Sequence, residues 1–317
     1  MLKNRIISTL HFFDLQDYPV TLLELHKFLL VDIENLKNRI NTSWELISPS
    51  AGGNQQVSID QVARCLDTEC RVEVEQKNGF YCLKGRGAII DQRLANYIYG
   101  IKRERRIRKF IGGLRHLPFV RGAALAGSQA QGCQKESSDI DLLIILEPKF
   151  LWLGRTLVTA YFQILGVRRH GKKIADRFCL NHYLAGVKTI GELRNLYTAW
   201  EYAKLRPLVY ESSVAGFQEK NSSWIRTFFP NFEIADLYHP LTPSYSKRGN
   251  ADVPSSLQIK LEHMLEGKFG QRLETILKNW QLPKIRREEF ILVMEDELSF
   301  HPQSKQRELL QRFFMGF

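Results

Sequence analysis

Apolar residues recur at helical spacing from the start of the chain, where Ile6, Ile7, Leu10 and Phe13 form one stripe. Asp17-Tyr18-Pro19 ends that helix, because the residue before proline avoids the α region. Thr21 followed three residues later by Glu24 is a capping box, which predicts a second helix over Leu22 to Leu30. Ser58 is placed to cap a third helix, with Ile59, Val62, Ala63 and Leu66 on one face. Asn78-Gly79 between Arg71 to Gln76 and Phe80 to Lys84 is a two-residue hairpin signal, since both central positions of such a turn need positive φ.

Helices followed by a hairpin are the order of a winged helix-turn-helix, so residues 1–86 are read as such a unit, with a loop over Ser48 to Gln56. Its candidate recognition helix, SIDQVARCLD, carries Arg64 against Asp60 and Asp67, a net charge of −1. A helix that reads DNA normally presents basic and amide side chains, so packing or partner docking is expected here rather than DNA binding. From Leu94 through Tyr97, Ile98, Ile101, Ile107, Phe110 and Leu114 the apolar positions predict one or two amphipathic helices. The most apolar window, Phe150 to Val167, is broken by Arg155 and Gln163 and falls short of the roughly 20 apolar residues of a membrane span. A buried helix and no membrane association are expected. Ile259 to Trp280, Arg287 to Leu298 and Ser304 to Phe314 have amphipathic helical patterns, with Pro302 at the turn before the last.

The 317 residues are 44% hydrophobic and 25% charged, which excludes a disordered or collagen-like chain. The net charge of +11 favours polyanionic partners, nucleotide phosphates or nucleic acid among them. That excess is concentrated in Lys84 to Arg115, where ten basic residues face only Asp91 and Glu104 and leave +8. Five cysteines at 65, 70, 82, 133 and 179 show neither a CxxC pair nor zinc-ligand spacing, so reduced thiols and a cytoplasmic location are expected. The first residues lack a long apolar core or small-residue cleavage site, and no signal peptide is expected.

Candidate chemistry lies in AALAGSQAQGCQKESSDIDLLIIL, Ala123 to Leu146. An apolar strand ends at Gly127-Ser128, ten residues follow, and a second strand begins around Asp139-Ile140-Asp141. Side chains two apart on a strand project from the same face, so Asp139 and Asp141 are neighbours there. Such carboxylates repel unless a cation lies between them, and Mg²⁺ suits one or two carboxylates plus substrate phosphates. Gly127 lets backbone N–H groups approach a phosphate, and Ser128 adds a hydroxyl at a helix start. Glu147 shares the parity of Asp141, but six residues at about 3.3 Å each place it roughly 20 Å away.

This segment resembles the signature of the polymerase-β-like nucleotidyltransferase superfamily through Ala126, Gly127, Ser128, Asp139, Ile140, Asp141 and Leu142. FFDLQDYPVTLLEL, KNGFYCLKGR, RFCLNHYL, ELRNLYTAWEYAKLRPLVY and SFHPQSKQRELLQRFF are similar to an uncharacterised bacterial group of nucleotidyltransferase-domain proteins with a winged amino-terminal region and a helical tail. The resemblance implies an α+β chain: the winged unit over 1–86, a nucleotidyltransferase core with a small mixed sheet over 87–190, and a helical region over 191–317. It implies Mg²⁺ or Mn²⁺ held by Asp139 and Asp141, a nucleoside triphosphate donor, with ATP expected, and Gly127 and Ser128 as phosphate positioners. It implies transfer of a nucleoside monophosphate to a hydroxyl of an RNA end, a protein side chain or a small molecule, with release of pyrophosphate. The superfamily's third carboxylate has its candidate in Asp176, which would share a face with Phe178 and Leu180. In the opposite parity Arg177, Cys179 and Asn181 line the site, and Asn181 fills the third position without a charge. Arg168, Arg169, Lys172 and Lys173 suit either the leaving pyrophosphate or a solvated surface loop, while His170 and His182 read as structural. The alternative is a catalytically impaired nucleotide sensor that regulates through its winged unit.

Overall fold

The computed structural model describes residues 2–41, 45, 56–234, 252–287, 291–300 and 303–316. The loop expected over Ser48 to Gln56, apart from Gln56, and the turn at Pro302 lie outside the described residues. Helix α1 (Leu2–Asp14) ends before Asp17, which takes a φ of 52° ahead of Tyr18-Pro19. Strand β1 (Val20–Thr21) runs into α2 (Leu22–Lys27), which starts on the expected capping box and stops three residues short of Leu30. Helix α3 (Ile33–Lys37) follows, and α4 (Ile59–Thr68) is capped by Ser58 with Gln61. Strands β2 (Val74–Lys77) and β3 (Phe80–Leu83) are joined through Asn78 and Gly79 at φ of 53° and 79°. Both central positions are left-handed, as the hairpin signal demands. The three strands form an antiparallel sheet in the order β1-β3-β2.

The basic stretch is a single helix, α5 (Ala88–Ile111), closed by a 3-10 turn over Gly112–His116. Then come β4 (Val120–Leu125), the short α6 (Gly127–Gln131), β5 (Ile140–Leu146), α7 (Leu151–Ile164) and β6 (Phe178–Ala185). The chain continues through α8 (Leu196–Ala203), β7 (Arg206–Val209), α9 (Glu211–Phe228), α10 (Ser256–Leu265), α11 (Lys268–Ile285), β8 (Leu292–Val293), β9 (Glu297–Ser299) and α12 (Gln303–Met315). Six of these strands make a mixed sheet in the order β7-β4-β5-β6-β9-β8. Among the described strands only β5 and β6 pair in parallel, joined by the α7 crossover, which parallel neighbours require.

The amphipathic helix expected over Arg287 to Leu298 is corrected to a hairpin, with Val293 opposite Leu298 and Met294 N–H donating to the Glu297 carbonyl. The region 191–317 is therefore not wholly helical, and β7 adds a further strand to it. The physical reason is the edge of β6, whose backbone groups need partners: β9 supplies them antiparallel, with Tyr183 opposite Leu298. Sheet demand outweighed a local pattern that was ambiguous over so few residues.

Alternation along β5 sends its side chains into two cores. Leu143 and Ile145, with Ala124 and Leu184, pack against Phe12, Phe13, Phe28, Trp200, Phe217 and Phe313. Ile140, Leu142, Ile144 and Leu146 pack on the other side with Ile107, Phe162, Phe178 and Leu298. The amino-terminal unit thus shares a continuous core with one face of the large sheet. Trp200 sits at that junction, its ring 4.8 Å from Phe13, 5.4 Å from Tyr18 and 4.6 Å from Phe28, centroid to centroid. Beside it Glu24 is largely enclosed by Arg93, which donates to both carboxylate oxygens at 2.8 Å, Lys204 at 3.3 Å, and the Tyr18 hydroxyl at 2.6 Å. Burial alone would raise Glu24, but the charges of Arg93 and Lys204 outweigh it and hold the carboxyl below its usual range. The Tyr18 hydroxyl also lies 3.0 Å from the Gln131 carbonyl, at the end of α6. No described helix is long and apolar enough to cross a membrane.

Candidate functional site

The backbone turns sharply at Gly127, where φ is 57°, and Ala126 N–H donates to the Asp141 carbonyl at 3.0 Å. This brings the β4–α6 bend directly against β5. A Cβ at Gly127 would lie 2.5 Å from Asp141 Oδ2, so both the left-handed φ and the close approach demand glycine. Ser128 follows in α6, and its carbonyl accepts from Cys133 N–H at 3.0 Å.

Asp139 immediately precedes β5 and Asp141 is its second residue, and both face the same side as expected. The loop that delivers Asp139 is anchored by Arg103, which is nearly fully buried although it belongs to the basic helix. Its guanidinium donates to the carbonyls of Ser138 at 3.0 Å, Lys135 at 3.3 Å and Asp139 at 3.4 Å. Part of the positive charge of α5 therefore serves to organise the site loop and does not face solvent.

Cys179 lies opposite Asp141 in the parallel β5–β6 register, and paired residues share a sheet face. One ligand atom each from Asp139, Asp141 and Cys179 lie within 4.8 Å of one another, all three residues being partly exposed. Between Cys179 and His182 the strand carries one extra residue relative to β5, a bulge of the kind that re-aims side chains beside active sites. There Asn181 donates through Nδ2 to Asp141 Oδ1 at 2.6 Å. Arg169 reaches in from the loop after α7, its Nη1 2.6 Å from Asp139 Oδ2 and 3.4 Å from Cys179 Sγ. Burial, and then the charges of Asp141 and Asp139, push the Cys179 thiol up, so it is protonated at neutral pH. Burial with the charges of Glu201 and Asp141 likewise pushes the Tyr197 phenol up.

Asp176, the expected third carboxylate, is corrected: it is absent from the group formed by Asp139, Asp141 and Cys179. It occupies a turn at φ of 58°, where its carboxylate accepts from Tyr99 Oη at 3.0 Å and lies 2.7 Å from Arg103 Nε. Arg106 Nε donates to its carbonyl at 2.8 Å. The reason is parity and position: Asp176 precedes β6 and is turned toward α5, whereas Phe178 enters the core and Cys179 and Asn181 face Asp141. Glu147 pairs with Arg121 at 3.1 Å, at the far end of β5. His182 is buried against Glu297 at 3.1 Å on β9, in keeping with a structural reading.

Sequence reasoning placed Arg169 only within a basic loop and Cys179 only on the alternative face of its strand. Arg103 and Tyr99 went unnoticed as site-shaping residues, since their stretch reads only as an amphipathic helical segment with concentrated positive charge. The signal that could have found Cys179 is the apolar Phe178: once it faces the core, its neighbour faces the aspartates.

The two carboxylates fit a divalent cation, and Asn181 restrains one of them. The donor set otherwise departs from three carboxylates, because the positions across from Asp141 are a thiol and an amide. Comparisons of the chain with protein-family models, with curated proteins and with solved structures found no match.

Proposed function

We propose that the chain is a metal-dependent nucleotidyltransferase that binds a nucleoside triphosphate at the Gly127–Ser128 bend and transfers its nucleoside monophosphate to an acceptor hydroxyl. The observation that carries this reading is the close approach of Gly127 to Asp141, with Asp139 alongside: a phosphate-admitting bend abuts a paired-carboxylate cation site. The mixed sheet with its β5–α7–β6 crossover supports a transferase core, and the order α1-β1-α2-α3-α4-β2-β3 with strands β1-β3-β2 supports a winged amino-terminal unit.

In the reaction the acceptor oxygen bonds to the α-phosphorus, the bond from that phosphorus to the β-phosphate bridge breaks, and pyrophosphate leaves with the electron pair. The hydroxyl proton passes to solvent. Asp139 and Asp141 would hold the cation, which would supply neutralisation of phosphate charge and a lowered pKa at the acceptor hydroxyl. Asn181 fixes the rotamer of Asp141 through its amide. Arg169 turns from Asp139 to the phosphate oxygens, where its planar donors suit an anion. Gly127 N–H and Ser128 position the chain of phosphates, so rate comes from placement and charge neutralisation.

The exposed basic side chains of α5, Lys102, Arg105 and Lys109, suit an RNA acceptor, with a protein or small alcohol as other outcomes. The test is incubation with α-labelled nucleoside triphosphates, Mg²⁺ or Mn²⁺, and cell RNA or extract. Label should appear in one acceptor class and vanish in Asp139→Asn and Asp141→Asn. Transfer undiminished in both variants would sink the reading. A second reading, a nucleotide sensor acting through the winged unit, is favoured by Asn181 standing where a third carboxylate would be. Triphosphate binding without turnover would select it.

A further inference from the structure

We propose that the cation bound at this site is held by a thiolate as well as by oxygen, with Cys179 Sγ joining Asp139 and Asp141, so that the site selects a Zn²⁺-class ion over Mg²⁺. The inference rests on the reading above for the place of the cation and names its chemical class. Cys179 occupies the position opposite Asp141 in the parallel register, where a third ligand has to stand. Its sulfur and one oxygen from each aspartate fall within 4.8 Å of one another. Ligands at roughly 2.0–2.3 Å from a tetrahedral ion lie about 3.5 Å apart, so small side-chain rotations close the set.

Two further observations point to a ligand. Arg169 Nη1 already contacts both Asp139 Oδ2 and Cys179 Sγ, at 2.6 and 3.4 Å, so a positive charge is drawn to two of the three donor atoms. Asn181 is nine-tenths buried and touches Asp141, yet its Oδ1 has no hydrogen-bond partner among the described residues. It is available as a carbonyl donor or as a partner for a bound water.

Thiolate sulfur beside carboxylate oxygen discriminates between metals: Mg²⁺ takes oxygen in octahedral geometry, whereas Zn²⁺ and Co²⁺ accept sulfur and nitrogen with oxygen at low coordination number. Three protein donors leave a fourth position open, as in catalytic zinc sites, and a phosphate oxygen fits it. On binding, the Cys179 proton passes to solvent and Arg169 is displaced toward that phosphate.

The experiment titrates the metal-free full-length chain with Co²⁺ and follows the near-ultraviolet thiolate-to-cobalt charge-transfer band, with Mg²⁺ as competitor. The expected result is one Co²⁺ per chain with the band present and Mg²⁺ unable to displace it. Cys179→Ser should lose the band and at least about tenfold in Co²⁺ affinity, the smallest loss normally seen when metal-site partners are removed. Cys65→Ser should keep the band, which excludes the neighbouring pair Cys65 and Cys70, whose sulfurs lie 3.8 Å apart. Co²⁺ bound without the band in the unaltered chain, no Co²⁺ bound, or a band surviving in Cys179→Ser would each overturn the proposal. The unaltered chain alone can decide, so poor folding of the variant does not shield the idea. A band without nucleotidyl transfer would uphold the inference and reject the transferase. Mg²⁺-driven transfer without a band would do the reverse.

Discussion

Replacing Gly127 with alanine puts a methyl group 2.5 Å from Asp141 Oδ2 and 3.2 Å from its Cγ, at a φ of 57°. Carbon needs about 3.5 Å for a comfortable contact, so the carboxylate has to retreat by about 1 Å. The left-handed backbone adds a further cost of about 1–2 kcal/mol for any residue with a Cβ, offset in part by about 0.4–1 kcal/mol of lost unfolded-state freedom. Gly132→Ala separates these effects. It has a φ of 76° but no atom within 4 Å of the new methyl group, so it carries the strain without the collision. Urea unfolding should therefore show Gly132→Ala destabilised by about 1 kcal/mol and Gly127→Ala by more, since only the latter adds the collision. Only Gly127→Ala should lose cation and triphosphate binding, because only there is a cation-facing carboxylate pushed aside. Isothermal titration with Mn²⁺ and ATP reads the difference. Equal binding by the two variants would refute the claim that the bend and Asp141 form one site.

Glu24→Gln should cost about 2–4 kcal/mol in urea unfolding, toward the lower end of the buried-pair range, because it strands the largely buried Arg93 without its charge partner; a loss below 1 kcal/mol would mark the pair as energetically trivial. The same carboxyl is held below its usual range in the fold, so its contribution is fully present above about pH 4.5 and is lost as pH falls below that value. Acid titration by circular dichroism should accordingly show a steeper loss for the unaltered chain than for Glu24→Gln. Trp200→Ala should remove about 3–5 kcal/mol, since the ring is almost fully buried among Phe13, Tyr18 and Phe28, and should shift a single transition because both sides share one core. Two resolved transitions would mean that the amino-terminal unit unfolds alone. Asn181→Asp should raise divalent-cation affinity by adding a charge beside Asp141, and label transfer should rise with it if a missing third carboxylate limits the reaction.

The Thr21–Glu24 capping box, the Ser58 cap, the Asn-Gly turn, the helical character of the basic stretch and the Gly-Ser and Asp-x-Asp segments were legible because their signals are local. Each depends on residues within four positions of one another, so sequence spacing carries the geometry. The hairpin of β8 and β9 was not legible, since a short apolar stretch suits helix or strand until an open sheet edge selects one. The third site position stayed open for a related reason: a one-residue change of parity flips every side chain of a strand, and only packing chooses.

From the chain alone came the fold class, a glycine bend facing paired aspartates, and a strongly basic middle. Tertiary structure alone decided that Asp176 belongs to Tyr99 and Arg103, that Cys179 and Asn181 stand at Asp141, and that Arg169 bridges Asp139 and Cys179. Those partners come from separate elements, brought together by the parallel pairing of β5 with β6 and by the α5 helix lying across the loop. Contacts of that kind depend on register and burial, which no local spacing encodes.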